Sequence, residues 1–343
     1  MNKNTIEYLQ NSLHNFYSSF ARDLPWRKNK DPYSIWVSEI MLQQTQVKTV
    51  IPYFERFLKL LPDVSHLAKI DIESLMKLWE GLGYYSRVKH MHQAAKIIVN
   101  EYHGILPKTA LELLKLPGIG LYTAGAIASI AYEERIAAVD GNVHRVLSRY
   151  LGLPITKEEL LPLMDELLPS QSIGNFNQAL MEVGSRICIP QSLPLCNECP
   201  INQKCQAFKK QLTDSLPIKP KKLNRTIEDK TLLIITDQTH YVIRKRPSKG
   251  LLANLWEFPL LEGSQTINEI SAFLLDLGID EFDLKVLPNS VHTFTHKDWK
   301  INAYKITTMK LNPVDHYTLV SRFDLNQIYT LSSLFKKYQE YYQ

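Results

Sequence analysis

The stretch Leu116-Pro117-Gly118-Ile119-Gly120 places two glycines in a short turn between two helical patterns. The second pattern begins near Leu121 and repeats apolar residues at spacings of three and four, which predicts a helix. The glycines leave backbone N–H groups uncovered at the start of that helix, where a phosphate oxygen can bind without any side chain. An ordinary helix–turn–helix connection with glycine as the C-cap is the alternative. The turn therefore predicts a helical domain and leaves both interpretations open.

A carboxylate follows this turn about 20 residues later, at Asp140. The apolar spacing of Val143, Val146 and Leu147 predicts a helix that starts at about Asn142, so Asp140 lies at or just before its N-terminus. The helix dipole and the free N–H groups favour an ionised carboxylate there. A plain N-cap is the alternative. The nearby turn favours a functional anion, of the kind that stabilises a cation-like sugar transition state.

A second carboxyl group lies in an apolar helix. Asp31 and Pro32 form a good helix start, and the pattern continues to Gln44. Glu39 flanks the apolar face of this helix, and partial burial would raise its pKa enough to make it a proton donor near neutral pH. A border glutamate with its head in water is the alternative. A protonated Glu39 with an ionised Asp140 would be typical of the acid and the stabiliser in glycosidic chemistry.

All four cysteines lie in one short window, with the spacing Cys188-x7-Cys196-x2-Cys199-x5-Cys205. Such clustering predicts a single metal or cluster site, and the intervening prolines place it on a loop. Structural zinc is one candidate, although its sites usually carry two C-x2-4-C pairs. A single C-x2-C flanked by two longer gaps favours an iron–sulfur cubane. A reducing compartment argues against disulfides.

The character of the chain changes after Cys205. Residues 1–208 have helical periodicity, 209–230 form a basic, proline-containing linker, and 231–343 alternate like an α+β domain. A length of 343 residues fits two or more domains. Within the last region the pattern predicts a hairpin from Thr231–Thr236 and Tyr241–Arg246, a helix at Ile267–Leu277, and strands in Val291–Thr308.

The overall charge excludes little. A net charge of +5 and a pI near 8.8 are compatible with nucleic acid but are common in unrelated proteins. No apolar run reaches the ~18 residues of a transmembrane helix. The N-terminal residues lack the apolar core of a signal peptide, so a cytoplasmic protein is expected.

Six motifs in this order resemble the helix–hairpin–helix DNA glycosylases of the endonuclease III superfamily, and within it the adenine glycosylases of the MutY type. The resemblance covers nearly the whole chain and is dense in the first 205 residues. The motifs are Leu24-Pro-Trp-Arg27, Trp36-Val-Ser-Glu-Ile-Met-Leu-Gln-Gln-Thr-Gln-Val47, Gly81-Leu-Gly-Tyr-Tyr-Ser-Arg87, Leu116-Pro-Gly-Ile-Gly-Leu-Tyr-Thr-Ala124, Val139-Asp-Gly-Asn-Val-His-Arg145 and Asn177-Gln-Ala-Leu-Met-Glu182.

The resemblance implies a mainly α N-terminal half, with a six-helix barrel and a cluster domain, followed by an α+β Nudix-like domain. It also implies a 4Fe-4S cluster on the four cysteines. The expected substrate is double-stranded DNA with adenine opposite 8-oxoguanine or guanine, and the expected protein is a monomer. One departure is the spacing of the first two cysteines, which is usually six residues in the family and is seven here, Ile189 to Leu195.

The resemblance also implies roles for individual residues. Glu39 matches the acid that protonates adenine at ring nitrogen 7, and Asp140 matches the carboxylate that stabilises or captures the oxocarbenium sugar. Tyr122 and Asn142 match polar neighbours that orient this chemistry. Lyase-competent relatives carry a lysine amine at the position of Tyr122. A phenol cannot form a Schiff base, so a monofunctional glycosylase that leaves an abasic site is expected.

Further positions match the binding surfaces of the family. Trp26, Arg27 and Glu182 fall where the family lines the adenine pocket. The Nudix-like region lacks the cluster of glutamates after Gly263 that would bind metal, so recognition of 8-oxoguanine rather than a second activity is expected. The positions that match DNA or 8-oxoguanine contacts are Leu42, Gln44, Thr45, Leu82, Tyr84, Gly118, Gly120, Phe294, Thr295 and His296.

Two alternatives stay open at this point. One is a glycosylase of the same fold that removes another base, such as thymine or uracil paired with guanine. The additional C-terminal domain and the Gln43-Gln44-Thr45 segment argue against it. The other is a DNA-binding protein that carries the cluster but has no catalytic activity. The presence of both Glu39 and Asp140 argues against that.

Overall fold

A computed structural model describes residues 1–190, 193–218, 224–312 and 316–343. The middle of the predicted linker, 219–223, and two residues of the cysteine loop, 191–192, lie outside these ranges. The chain divides into two compact units: Met1–Ile70 with Ser86–Pro220, and Asp71–Tyr85 with Lys221–Gln343. Within the described residues, every helix is too short or too polar to cross a membrane.

The first unit is helical, as the periodicity predicts. Three short 3-10 turns lie at Pro25–Arg27, Cys196–Glu198 and Asn202–Lys204. The helices of this unit are α1 Lys3–Phe20, α2 Pro32–Leu42, α3 Val47–Leu60, α4 Val64–Lys69, α6 Ser86–Glu101, α7 Ala110–Leu113, α8 Leu121–Tyr132, α9 Gly141–Leu151, α10 Lys157–Leu167, α11 Ile173–Arg186 and α12 Gln206–Lys209; α5, Ile72–Leu78, belongs to the second unit.

Helix α2 is the central helix of the first unit. Asp31 caps it by accepting a hydrogen bond from the backbone N–H of Ser34 at 2.8 Å, and Pro32 occupies its first position. Residues 33–41 are all buried, so this helix is covered on every side. The sequence predicts Glu39 at the border of an apolar face, with partial burial; in the structure the helix has no exposed face, and Glu39 is buried.

Helix α2 ends at Leu42, two residues before the predicted end at Gln44. The guanidinium of the buried Arg87 donates to the carbonyl oxygens of Ile40, Met41 and Gln43 at 2.8, 3.1 and 2.5 Å. Carbonyl groups at the end of a helix lack the backbone N–H donors that a further turn would supply. The Arg87 guanidinium supplies donors in their place. Gln44 then adopts a left-handed φ of 57°, which turns the chain away from the helix axis.

An apolar core joins helices α1, α9, α10 and α11. Leu13, Val146, Leu180 and Val183 belong to it, and Cys188, Cys199 and Cys205 pack against its edge. Helix α9 therefore has one face in this core while its N-terminus, beginning at Asp140, is free to contribute to a site. Burial of the apolar face stabilises the helix more than its intrinsic propensity does.

The second unit is a mixed sheet covered on both faces. The described strands run in the order β3-β2-β1-β6-β5, with β4 beside β1 and β7 beside β2; β1 and β6 are parallel and the other pairs antiparallel. The strands are β1 Thr226–Thr236, β2 His240–Lys245, β3 Trp256–Glu257, β4 Leu260–Glu262, β5 Asp283–Thr293, β6 Lys297–Thr307 and β7 Thr318–Ser321, and the helices are α13 Ile267–Asp276, α14 Arg322–Gln327 and a 3-10 helix, Ser333–Tyr341.

Alternation along β1 explains the two covered faces. Leu232 and Ile234 face a core completed by Phe335, whereas Leu233 and Ile235 face a core completed by α13. Strand β2 and helix α13 agree with the sequence prediction to within one residue at each end. Strand β1 begins at Thr226, five residues before the predicted start at Thr231, because its whole length pairs with β6.

Candidate active site

An open cleft of about 970 Å³ in the first unit brings together all the predicted catalytic and adenine-pocket residues and three of the predicted DNA-contacting ones. Glu39 and Asp140 both line it, so the two carboxyl groups share one cavity. The lining residues that sequence motifs singled out are Trp26, Arg27, Glu39, Leu42, Gln44, Thr45, Tyr122, Asp140, Asn142 and Glu182.

The Glu39 carboxyl is the buried acid of this cleft, with a residue exposure of 6%. The phenol of Tyr122 donates a hydrogen bond to Oε2 of Glu39 at 2.6 Å. The pKa of Glu39 is raised to about 7: burial raises it most, the Tyr122 hydrogen bond lowers it in part, and the charge of Asp140 adds to the rise. Glu39 can therefore hold and release a proton near neutral pH.

The Asp140 carboxylate caps helix α9 and is fixed through both oxygens. Oδ1 accepts from the backbone N–H of Val143 at 2.7 Å, and Oδ2 accepts from Nδ2 of Asn142 at 2.7 Å. The predicted N-cap and the predicted cleft residue are thus the same carboxylate. Asn142 is itself held, because Nη2 of Arg145 donates to its Oδ1 at 2.8 Å.

Glu182 forms the centre of an ion-pair cluster on one wall. Arg22 donates to both of its oxygens, at 2.7 and 2.6 Å, and Arg27 lies at 3.3 and 3.4 Å. Burial by itself would raise the pKa of Glu182, but the two guanidinium groups outweigh it and hold the pKa at about 2. Trp26 is buried beside this cluster with its ring edge-on to Phe54. The wall therefore offers fixed donors, a fixed carboxylate and an aromatic ring.

The loop after α2 forms the cleft rim. Leu42 is half-buried, Gln44 is exposed and Thr45 is half-buried, and all three line the cleft. Gln43 anchors this loop, since its Nε2 lies 3.3 Å from Oγ1 of Thr123. The rim therefore presents polar groups on a segment whose backbone Arg87 holds in place.

The two glycines of the predicted turn differ in their backbone conformation. Gly118 has a φ of 78°, and a Cβ added there would lie 2.6 Å from Cβ of His90. Gly120 is the N-cap of α8 with an ordinary φ of −95° and no atom within 4 Å of an added Cβ. Only the first glycine is therefore required by the backbone, and the second leaves the helix N-terminus open.

The four cysteines line one small, largely apolar cavity. All are free thiols, and Nη1 of Arg149 donates to Sγ of Cys188 at 3.3 Å. Among the described residues, no three Cys, His, Asp or Glu side chains converge closely enough to hold a single metal ion. Four thiols around a shared cavity, with a cationic donor beside one sulfur, form a donor set suited to an iron–sulfur cluster.

The remaining predicted residues belong to the second unit. Leu82 is buried, whereas Tyr84 is half exposed with a φ of 47°. Phe294, Thr295 and His296 form the turn between β5 and β6, in which the Phe294 ring packs edge-on against Trp299 at 4.8 Å. Thr295 and His296 are exposed at the tip.

Three arginines near the site carry contacts that the sequence does not predict. Arg22 pairs with Glu182, Arg87 holds the end of α2, and Arg145 links Asn142 to the carbonyl oxygens of Gly184 and Cys188 at 2.8 and 2.7 Å. Arg87 and Arg145 are the last residues of two family motifs, Gly81–Arg87 and Val139–Arg145, which only weakly indicates a role for them. Their partners lie up to 160 residues away in sequence, as for Arg22, so spacing cannot reveal them.

Two family models match the chain. Residues 37–170 match the HhH-GPD superfamily base excision DNA repair proteins, and residues 230–340 match the NUDIX domain.

Relatives match most of the chain. An adenine DNA glycosylase of Buchnera aphidicola subsp. Baizongia pistaciae is 34% identical over 94% of this chain and 92% of its own length. An adenine DNA glycosylase of Homo sapiens is 33% identical over 90% of this chain and 68% of its own.

Solved structures agree with the helical half. A thermostable thymine-DNA glycosylase superposes with a TM-score of 0.57 at 28% identity, covering 60% of this chain and 98% of that one. An endonuclease III–DNA complex superposes with a TM-score of 0.54 at 21% identity, covering 62% and 99%, and shows the same fold.

Proposed function

The chain belongs to the adenine DNA glycosylases, and from this membership we propose that it removes adenine mispaired with 8-oxoguanine or guanine in double-stranded DNA. The reaction hydrolyses the N-glycosidic bond and leaves an abasic site. The target nucleotide must leave the base stack to reach a cleft of this kind, at a cost of a few kcal/mol. The Leu42–Thr45 rim would offset part of that cost by occupying the vacated space.

The observation that carries the proposal is the buried Glu39–Tyr122 pair in the same cleft as Asp140. Adenine is a poor leaving group until its ring accepts a proton. Glu39, with a pKa raised to about 7, supplies that proton at ring nitrogen 7. Tyr122 holds the carboxyl in position through its 2.6 Å hydrogen bond.

Departure of the protonated base leaves positive charge on the sugar. Asp140, fixed by Val143 N–H and Asn142, stabilises or captures that oxocarbenium ion. Asn142 and its partner Arg145 keep the carboxylate in place. No amine stands at position 122, so water rather than lysine completes the reaction, and the DNA strand stays intact.

The Glu182 cluster would form the adenine pocket. The ring of Trp26 suits packing against a flat purine, and Arg27 with the Glu182 carboxylate presents polar groups to its edge. Four irons and four sulfides on Cys188, Cys196, Cys199 and Cys205 would supply a rigid, compact loop next to α9.

The second region would read the base opposite. We assign residues 1–208 to catalysis, 209–230 to a linker and 231–343 to recognition of 8-oxoguanine. Phe294, Thr295 and His296 would contact it together with Gln44, Thr45, Leu82 and Tyr84, while Gly118 and Gly120 would bind a backbone phosphate. The protein would act as a monomer on chromosomal DNA in the cytoplasm.

A duplex assay tests the reaction. Purified protein is incubated with duplexes containing A:8-oxoguanine, A:G, T:G or U:G, and strands are separated before and after alkali. We expect cleavage only after alkali, and only for the two adenine duplexes. The variants Glu39→Gln and Asp140→Asn should lose most of this alkali-dependent cleavage. Glu101→Gln, which changes an exposed residue of α6, should keep it. Excision of thymine would favour the alternative that the 28% identical thymine-DNA glycosylase supports. Breaks before alkali would contradict hydrolysis by water.

Elemental analysis tests the cofactor. We expect about four irons and four sulfides per chain and no stoichiometric zinc. Cys199→Ser should lower the iron content, because Cys199 is one of the four thiols that line the cavity. Stoichiometric zinc in the purified protein would overturn the cluster assignment.

A further inference from the structure

Helix α5, Ile72–Leu78, and the turn after it carry charged residues, here called the stripe, that contact the sheet of the second unit. Glu73 and Lys77 are four residues apart on one face of the helix, and Glu80 lies in the turn that follows it. The HhH-GPD family match covers this helix, yet its contacts group residues 71–85 with the C-terminal unit. The stripe is therefore where a segment of the catalytic sequence becomes part of the recognition unit.

The stripe makes side-chain contacts at three levels. Glu73 pairs with Lys245 and accepts from Nε1 of Trp256 at 3.2 Å. Lys77 donates to the carbonyl oxygen of Tyr329 at 3.1 Å. Glu80 accepts from the backbone N–H of Leu331 at 2.9 Å and pairs with Lys77 at 2.7 Å.

The surface that contacts the stripe is held together by its own backbone and ring contacts. Trp256 donates its backbone N–H to Thr330 and forms a bridge with Leu331. Its ring packs edge-on against Tyr329 with centroids 4.7 Å apart. Strand β3, which contains Trp256, and the 329–331 segment thus form one platform, and all three stripe residues bind to it.

The loop Gly81–Tyr85 follows the stripe directly. Nε1 of the buried Trp79 donates to the carbonyl oxygen of Gly83 at 3.1 Å, and Gly81, Gly83 and Tyr84 all have positive φ. The loop shape is thus fixed from the helix end, where Glu80 is bound to the platform. Any displacement of α5 from the platform must move the loop.

Phe294 packs against the same apolar core as Trp256, Tyr329 and Leu331 of the platform. We infer that the Glu73–Lys77–Glu80 stripe is a positioning element that fixes the 81–85 loop relative to the Phe294–His296 turn. This inference rests on the proposed function, in which both segments contact the 8-oxoguanine side of the duplex. Coupling them lets the two contacts form together, so the stripe sets discrimination between A:8-oxoguanine and A:G rather than the rate of bond cleavage.

The test compares single-turnover excision from the two duplexes. Glu80→Met and Lys77→Met should lower the A:8-oxoguanine to A:G rate ratio about fivefold or more, the usual size of a coupling between sites. The A:G rate should stay within about twofold. Glu101→Met is the matched control, because it removes an exposed helical glutamate outside the stripe. Glu73→Lys should behave like the stripe variants, and adding Lys245→Glu should restore the ratio in part.

Hydrogen exchange supplies a readout that simple loss of stability does not give. In Lys77→Met, amides of 81–85 should exchange faster, while those of α8 keep their wild-type rates. Equal loss on both duplexes, or an unchanged ratio with unchanged loop exchange, would overturn the inference. If the wild type excised adenine from neither duplex, the proposed function would fail first. If Glu80→Met prevented folding, Lys77→Met and the charge swap would still decide the question.

Discussion

The phenol oxygen of Tyr122 lies 2.6 Å from Oε2 of Glu39, and both residues line the cleft that also contains Asp140. Burial raises the pKa of Glu39, and the phenol hydrogen bond opposes that rise because it favours the charged carboxylate. Glu39 can therefore donate a proton near neutral pH. Substituting either residue of the pair should change the pH dependence of excision in a direction that can be predicted.

Excision should depend on a group that must be protonated. Because the pKa of Glu39 is about 7, the single-turnover rate should be level below that pH and fall about tenfold per unit well above it. The measurement is the rate of adenine release between pH 5.5 and 9 on one duplex. The small residual rate of Glu39→Gln should not show this fall at alkaline pH, here called the alkaline limb of the profile. A wild-type rate that stays level to pH 9 would contradict an acid role for Glu39.

Tyr122→Phe should move that limb to higher pH. The variant loses the hydrogen bond that lowers the pKa of Glu39, while burial and the Asp140 charge remain. The pH profile of its excision rate should therefore bend at a higher pH than that of the wild type, whatever the fall in maximal rate. Met181→Leu, a second neighbour of the phenol, serves as a packing control. A bend at lower pH would be the opposite of the expected sign.

Glu39→Gln should stabilise the protein at alkaline pH. The folded-state pKa of Glu39 is raised from 4.5 to about 7, so the folded state binds more protons in that window and loses stability as pH rises through it. Glutamine avoids this cost and can still accept from Tyr122. The gain in free energy of unfolding should grow from near zero at pH 4.5 to at most about 3 kcal/mol at pH 8. Urea unfolding at the two pH values measures it, and a gain independent of pH would show that Glu39 ionisation is not its source.

The pattern of apolar residues was enough to predict most elements, because amphipathic helices such as α13 and alternating strands such as β6 bury one side. It misplaced Glu39 at a border, since a helix surrounded on all sides has no polar face to read. It also placed the end of α2 too late. The contact that ends the helix comes from Arg87, more than 40 residues away in sequence.

In the candidate site, too, residues with local sequence signals were predicted, and contacts between distant residues were not. Local signals identified Asp140, because an N-cap depends only on its own helix start. The Arg22–Glu182 pair spans 160 residues and has no local signature. The contacts of Glu73 and Glu80 with the sheet unit were missed for the same reason: a helical stripe of charges looks solvent-exposed until a partner 172 or more residues away covers it.

Asp140→Asn and Asp140→Ala should separate chemistry from capping. Asparagine keeps an oxygen that can accept from Val143 N–H, so Asp140→Asn should fold and bind the mismatched duplex normally yet lose excision. Alanine removes the cap as well and should lower the free energy of unfolding by about 1 kcal/mol. Urea unfolding and gel-shift binding of both variants make the comparison. Equal loss of binding and excision in Asp140→Asn would count against the assigned role.

The two hairpin glycines should respond differently to alanine, because only one needs its missing side chain for folding. At Gly118 a φ of 78° and a backbone-fixed approach of 2.6 Å to Cβ of His90 both oppose a side chain, so Gly118→Ala should cost about 1–3 kcal/mol in unfolding free energy. At Gly120 an added Cβ meets nothing within 4 Å, so Gly120→Ala should fold like the wild type. If the open helix N-terminus binds a phosphate, Gly120→Ala should still weaken duplex binding, because the methyl group stands beside the free N–H groups. Thermal unfolding with duplex titration at fixed salt distinguishes the two effects. Normal binding by Gly120→Ala would show that the turn is a structural connection only.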